Sequence, residues 1–404
     1  MVHGESYVDY DTEHTGWYYF DTYTGAMKHG FSYLRSNGGK WVYYDIFTGK
    51  MTYGEQFIDG GWYYLAPHTG AVSYGFVYLS STQKWVYYDS PTGRMVKGEK
   101  AIGSSWYYLD DVTGAVTYGW HDLPAINGID ARTVYYAWPS GKMTYGNQTI
   151  YGKRYRFDQN TGGLLPNSPN PRPSRTLPDS LATTISLIEL VEGAGRSVRV
   201  LGDSIAAGMG STSYFPDTSN YLFSYKGENF FEPSHSTNSA FNSLRNSLAN
   251  HGVTMVNASV PGKGSMKLYS ELGEQTLGDE SAAVVMLGTN DRGAFSPGET
   301  IDSFRSYAEN YLSLVNRHYQ GRMIVVSSIP VVREDYGFSL TRVDDILRQL
   351  CEKHGWRFVS GYRSYSYLAE ASGIPMSGLY VDGTHPNALG QRILRDMLMQ
   401  ALKV

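Results

Sequence analysis

The chain has 404 residues, a formal net charge of −4 and a sequence pI of about 6.2. At roughly 100–200 residues per domain this length predicts two or three domains, and the near-neutral balance argues against a nucleic-acid binder, which carries a basic face. The single Cys351 excludes an internal disulfide framework and a Cys-based zinc site; no run of 18 apolar residues is present, so no membrane span is expected.

Aromatic residues divide the chain. Of 35 tyrosines, 23 precede residue 166, as do seven of the eight tryptophans. They recur as a unit: Trp17-Tyr18-Tyr19, Trp41-Val42-Tyr43-Tyr44, Trp62-Tyr63-Tyr64, Trp85-Val86-Tyr87-Tyr88, Trp106-Tyr107-Tyr108 and Val134-Tyr135-Tyr136, with a weaker copy at Arg154–Phe157. Each is followed by a glycine (Gly25, Gly49, Gly70, Gly93, Gly114, Gly141, Gly162), and most by another five residues on. Trp17 to Trp62 is 45 residues and Trp62 to Trp106 is 44, so the period is a pair of units. The aromatic run suits a pleated strand, and the glycine supplies a turn with positive φ. Each unit therefore predicts a β-hairpin too small to bury a core alone, and the hairpins stack into a solenoid. Grooves between hairpins offer ring faces to sugars or quaternary ammonium groups, and Trp17, Phe31, Trp41, Trp62, Phe76, Trp85, Trp106 and Trp120 are the candidate ligand residues.

The pattern Gly-Trp-Tyr-Tyr-Phe-Asp-x-x-Thr-Gly-x-Met resembles the cell-wall-binding repeats, of choline- or glucan-binding type, of Gram-positive surface proteins. The resemblance implies attachment to choline-bearing teichoic acid or to a glycan of the cell wall. In the family the glycine ending each unit is usually followed by a cage tryptophan. Here Phe31, Phe76 and Trp120 alternate with Glu55, Glu99 and Asn147, so every second cage is expected to be incomplete.

Residues 1–165 are thus expected to be the repeat domain. Five prolines in residues 166–178 predict an extended linker. Residues 179–404 then alternate apolar strands (Val198–Leu201, Val253–Val256, Ala283–Leu287, Met323–Ser327, Trp356–Val359) with helical stretches near 239–250, 300–319, 340–354 and 388–402. This alternation predicts a parallel sheet with helices on both faces, whose ligands bind beyond the carboxyl ends of the strands.

The loops there hold Gly202-Asp203-Ser204-Ile205, Asn257–Gly262, Gly288-Thr289-Asn290-Asp291 and Asp382-Gly383-Thr384-His385. Any one of these is an ordinary turn or cap; four in this order predict nucleophilic catalysis. A serine hydroxyl needs an adjacent base, for which His385 is the candidate, with Asp382 fixing its tautomer. Oxyanion donors are expected from the Ser204 and Gly262 N–H groups and the Asn290 amide. His235, His251, His318 and His354 lack such a setting.

These four blocks resemble those of the GDSL/SGNH hydrolase superfamily, with Ile205 where the family name has leucine. The resemblance implies a flavodoxin-like three-layer α/β fold and ester hydrolysis through Ser204, His385 and Asp382, with no metal and no cofactor. The aromatic-rich stretch Ser211–Thr237 reads either as a packed surface loop or as a substrate-binding wall. The combination predicts a secreted, wall-associated serine esterase removing short acyl groups from a carbohydrate polymer. The alternatives are a lipase, thioesterase or acyltransferase on the same triad, or an adhesin with a degenerate hydrolase domain. Residues 1–13 hold no apolar signal-peptide core.

Overall fold

The structure, a computed structural model, describes residues 2–35, 38–126, 128–211, 214–225, 227–235, 239–292, 298–332 and 337–404, leaving aside the side chains of residues 214–219, 225, 234 and 235. Two compact units result, residues 1–80 with 84–117, and residues 118–404 with 81–83.

The first unit is five antiparallel hairpins: β1–β2 (Gly4–Val8, Gly16–Phe20), β3–β4 (Gly30–Leu34, Lys40–Tyr44), β5–β6 (Gly54–Ile58, Gly61–Leu65), β7–β8 (Gly75–Leu79, Lys84–Tyr88) and β9–β10 (Gly98–Ile102, Ser105–Leu109). The Asp-x-x-Thr-Gly turn is held by the aspartate: Asp45 Oδ1 accepts from Phe47 N at 3.0 Å and from Thr48 N at 2.8 Å. Backbone bonds then stitch one hairpin to the next. Met51 N donates to Trp17 O at 2.8 Å, and Val72 N to Trp41 O, Met95 N to Trp62 O and Val116 N to Trp85 O, each at 2.7 Å.

The two-unit period has a core explanation. The innermost position alternates Tyr44, Leu65, Tyr88, Leu109, all fully buried. A buried tyrosine hydroxyl needs a partner, and the glutamate of the preceding hairpin serves: Tyr88 Oη donates to Glu55 Oε1 at 3.4 Å. At Glu55, therefore, the position where a cage tryptophan was expected serves a core hydroxyl.

The second unit begins with β11–β12–β13 (Gly119–Leu123, Arg132–Ala137, Lys142–Met143) and β14–β15 (Gly146–Ile150, Lys153–Phe157). These hairpins pack on the segment following a helix at 361–372. Tyr135 Oη donates to Gly373 O at 2.6 Å, Tyr151 Oη to Ile374 O at 2.5 Å, and a Cβ on Gly119 would lie 2.0 Å from Ser372 O. The proline-rich stretch is held too: Arg175 Nη2 donates to Trp120 O at 2.6 Å and Leu177 N to Gln400 Oε1 at 2.7 Å.

The remaining elements are α1 (Leu187–Val191), β16 (Ser197–Gly202), β17 (Tyr214–Tyr225), β18 (Glu228–His235), α2 (Ala240–Asn250), β19 (Thr254–Asn257), α3 (Met266–Leu272), β20 (Ala282–Leu287), α4 (Ile301–His318), β21 (Met323–Ser327), α5 (Leu340–His354), β22 (Arg357–Val359), α6 (Gly361–Ser372) and α7 (Ala388–Ala401). The sheet is parallel, in the order β19-β16-β20-β21-β22, the flavodoxin-like 2-1-3-4-5 arrangement. Alternate strand residues face opposite layers: Val198, Val200, Val284 and Val326 join α1, α2, α6 and α7, whereas Leu201, Val285 and Val325 join α3, α4 and α5. This is the three-layer fold expected from the alternating pattern.

The aromatic stretch after the nucleophile turn forms the hairpin β17–β18, which the reading as a loop missed. Strand β19 is the sheet edge, and its Asn257 N–H is met at 2.8 Å by Glu232 Oε1 of β18, which blunts an exposed edge. Phe223 is buried in the α3–α4 core and stacks on Phe230 at 5.2 Å. These rings are packing; Tyr214, Phe215 and Tyr225 have side chains outside the described residues.

Candidate active site

Strand β16 ends in Gly202, and residues 204–210 follow as hydrogen-bonded turns, with Ala207 N donating to Asp203 O and Met209 N to Ser204 O, both at 2.9 Å. The turn shape is set from inside. Asp203 Oδ1 accepts from Ile205 N at 2.9 Å, and Asn257 Nδ2 donates to Ala206 O at 2.9 Å. Burial pushes the Asp203 carboxyl up, against the Ile205 N–H that lowers it.

The loop before α7 carries the histidine. Asp382 Oδ1 accepts from Thr384 N at 2.9 Å and His385 N at 2.8 Å, leaving Oδ2 to the imidazole Nδ1 at 2.7 Å. The other ring nitrogen, Nε2, lies 2.8 Å from Ser204 Oγ. With Nδ1–H donated to the carboxylate, Nε2 is the acceptor facing the serine hydroxyl. Partial burial raises the Asp382 carboxyl, but the hydrogen bonds from His385 and Thr384 outweigh it and hold the group below its ordinary value. Ser204, Asp382 and His385, distant in sequence, are thus brought into one line.

The expected oxyanion donors occupy the neighbouring loops. Asn290, almost fully buried, donates through Nδ2 to Gly264 O at 2.9 Å. Gly262 has φ +71°, and nothing lies within 4 Å of where its Cβ would be. Its requirement for glycine is therefore the left-handed backbone and not crowding by a neighbouring atom.

Two supporting residues escaped sequence reasoning. Gly210 (φ +88°) faces the histidine loop, and a Cβ there would sit 2.4 Å from Pro386 O and 3.0 Å from His385 Cβ. Gln391, buried on α7, donates from Nε2 to Met209 O at 3.3 Å and to Pro386 O at 3.4 Å, and accepts from Ala240 N at 3.0 Å. It joins the serine turn to the histidine loop. The signal for Gly210 lay in the Gly208-x-Gly210 spacing just after the serine; nothing marked Gln391.

Asp291 accepts from Met266 N at 3.0 Å and Lys267 N at 3.3 Å, capping α3. Burial pushes its carboxyl up to about 7, opposed by those two N–H groups. Between its ordinary 3.8 and about 7 the folded chain holds a proton that the unfolded chain has released. This group therefore makes stability fall as pH rises across that interval. Asp291→Asn removes the titration, so melting temperatures should shift in the variant's favour from pH 4 to pH 7; a difference constant with pH would contradict the assignment.

The other histidines stay apart. His251 bonds Ser247 O, His318 bonds Gly278 O and His354 meets Glu309; the His235 side chain lies outside the described residues. Among the described residues no group of three or more His, Cys, Asp or Glu is placed to hold a metal ion, and no helix is long and apolar enough to cross a membrane.

Among the candidate ligand aromatics, Trp17, Trp41, Trp62, Trp85, Trp106 and Phe76 present exposed ring surface. Phe31 is half-buried between Tyr43 and Tyr63, at 4.9 and 5.0 Å. Trp120 is a correction. It is 1% exposed, enclosed by Tyr135, Tyr155 and Phe157, so its ring is core and offers no face to a ligand.

A flavodoxin-like parallel sheet with a serine, histidine and aspartate aligned beyond its strand ends defines a serine hydrolase. Residues 200–393 match the GDSL-like lipase/acylhydrolase family, and the C-terminal half of the chain is a hydrolase domain of that family. The N-terminal repeats match choline-binding proteins. The structure of CbpJ from Streptococcus pneumoniae is 28% identical and choline-binding protein F from the same organism 27%; each match covers 41% of this chain and has a TM-score of 0.34. The match spans about half the length of those proteins, 52% of each. The lipase/acylhydrolase from Enterococcus faecalis is 16% identical over 52% of this chain and 95% of its own, with a TM-score of 0.38. No curated protein matches the chain.

Proposed function

We propose that the chain is a serine esterase of the cell envelope that removes short acyl groups, acetyl first among them, from a carbohydrate polymer to which its repeats bind. The observation that carries this reading is the hydrogen-bonded line from Ser204 Oγ through His385 to Asp382. In the proposed reaction His385 Nε2 takes the Ser204 proton as Oγ attacks the ester carbonyl. The N–H groups of Ser204 and Gly262 and the Asn290 amide stabilise the oxyanion. His385 then gives that proton to the departing sugar oxygen, which leaves as a hydroxyl, and a water that His385 next deprotonates releases the acid from acyl-Ser204.

The repeats supply the address. Exposed tryptophans recur on successive hairpins, and rings at regular spacing gain avidity on a polymer that no single site provides. Choline-bearing teichoic acid and wall glycan both present such a repeat.

The test is mass-spectrometric measurement of acid released from purified wall fractions by the wild type and by Ser204→Ala. Release of acetate by the wild type alone supports the proposal, and equal release by both overturns it. A chain-length series of p-nitrophenyl esters separates this activity from that of a lipase or thioesterase, which favours long chains.

A further inference from the structure

Helix α3 carries one side chain whose polar atom has no role in the proposed chemistry yet touches two of the loops that build the site. Tyr269 is fully buried, its ring set against Tyr311 at 5.4 Å. Its hydroxyl reaches Ala258 O at 2.6 Å and Gly202 O at 2.9 Å. Gly202 lies two residues before Ser204, and Ala258 four before Gly262.

A phenol has one proton to donate, so the two carbonyls share it and are drawn to one point. Val260 N also donates to Gly202 O, at 2.9 Å, tying the same loops by backbone. The helix bearing the tyrosine is itself fixed by the third loop. Asp291, next to Asn290, caps its first N–H groups, and Ser265 Oγ accepts from Leu268 N at 3.1 Å. Every loop expected to give an oxyanion donor is thus referenced to α3, two of them through a single hydroxyl.

We infer that Tyr269 is a positioning residue that sets the spacing between the Ser204 turn and the Gly262 loop, and with it the alignment of nucleophile and oxyanion donors. The inference rests on the serine-esterase reading above. Catalysis of this kind is sensitive to spacing: a misplacement of about 1 Å costs on the order of 100-fold in rate. Substrate binding, by contrast, depends on the acyl and sugar contacts, which the hydroxyl does not touch.

The experiment is Tyr269→Phe, which keeps the ring and removes the hydroxyl. With p-nitrophenyl acetate, kcat should fall about 10–100-fold, with KM within about twofold and with Ser204 labelling by a fluorophosphonate slowed in parallel. The pH midpoint of kcat/KM should stay in place, because the His385–Asp382 pair is untouched. A wild-type kcat overturns the inference, as does a fall in kcat that only follows the folded fraction measured by circular dichroism. Ser204→Ala is assayed beside it. If that variant stays active, the serine reading fails; if it is dead while Tyr269→Phe matches the wild type, only the positioning role fails.

Discussion

Asp382→Asn is expected to lower kcat on p-nitrophenyl acetate by about 10,000-fold, with KM and the melting temperature at neutral pH little changed. The reason is the direction of hydrogen bonding. Asp382 Oδ1 accepts two backbone N–H groups, which an amide oxygen can continue to do, while Oδ2 accepts the imidazole Nδ1–H. In the asparagine variant the NH2 group faces Nδ1 and selects the tautomer that carries its proton on Nε2, directed at Ser204. A histidine in that tautomer cannot take the serine proton, and in serine proteases this change costs about four orders of magnitude. The pH dependence follows from the depressed carboxyl. A folded-state value below the ordinary 3.8 contributes stability above that pH and loses it as pH falls through the folded value. The wild type should therefore show an acid-side loss of melting temperature below about pH 4 that the variant lacks. Steady-state kinetics with calorimetry across pH 3–8 checks both, and an active asparagine variant would remove Asp382 from the mechanism.

Gly210→Ala should be a damaging single-methyl change beside the catalytic histidine. The added carbon meets Pro386 O at 2.4 Å and His385 Cβ at 3.0 Å, and φ +88° at that position disfavours any side chain. A strained backbone costs on the order of 1–3 kcal/mol, and the clash relaxes by moving the histidine loop away from Ser204. A shift of that loop by a fraction of an ångström to 1 Å should reduce kcat by up to about 100-fold. Because Asp382 and His385 move as one loop, their mutual bond survives while the bond from His385 to Ser204 lengthens. The expected signature is slowed fluorophosphonate labelling together with a lower melting temperature. A variant that labels at the wild-type rate would show that the loop yields without consequence.

Much of this was legible because chemistry-bearing loops at strand ends leave short, ordered signatures. Strands β16, β20 and β21 and helices α5 and α7 were found from apolar periodicity alone, since a strand buried on both faces reads as a continuous run. The Ser204, His385 and Asp382 positions followed from motif order. The hairpin β17–β18 did not, because its aromatics lack clean alternation and its register breaks between Pro216 and Tyr221 and again before Phe223. Gln391 and Tyr269 were invisible for another reason. A glutamine or tyrosine on an apolar helix face looks like filler until the fold shows which carbonyls it reaches. Trp120 was misread because sequence copies of one repeat share residues but not surroundings. The equivalent ring is half-buried at Phe31 and partly exposed at Phe76, but at Trp120 it is enclosed by Tyr135, Tyr155 and Phe157.

Composition changes at the prolines, but packing changes at Tyr118. Beyond that point Tyr135 and Tyr151 hold the carbonyls of Gly373 and Ile374, and a Cβ on Gly378 would lie 2.7 Å from the Trp138 indole, in the segment that leads to Asp382. The break in packing thus falls inside the repeat region and not at the prolines, and residues 81–83 also group with the second unit. A crossover in the proline-rich stretch would deliver a hydrolase lacking two of its own structural pieces. The main packing boundary lies inside the repeat region, one pair of hairpins ahead of the place where the amino-acid composition breaks.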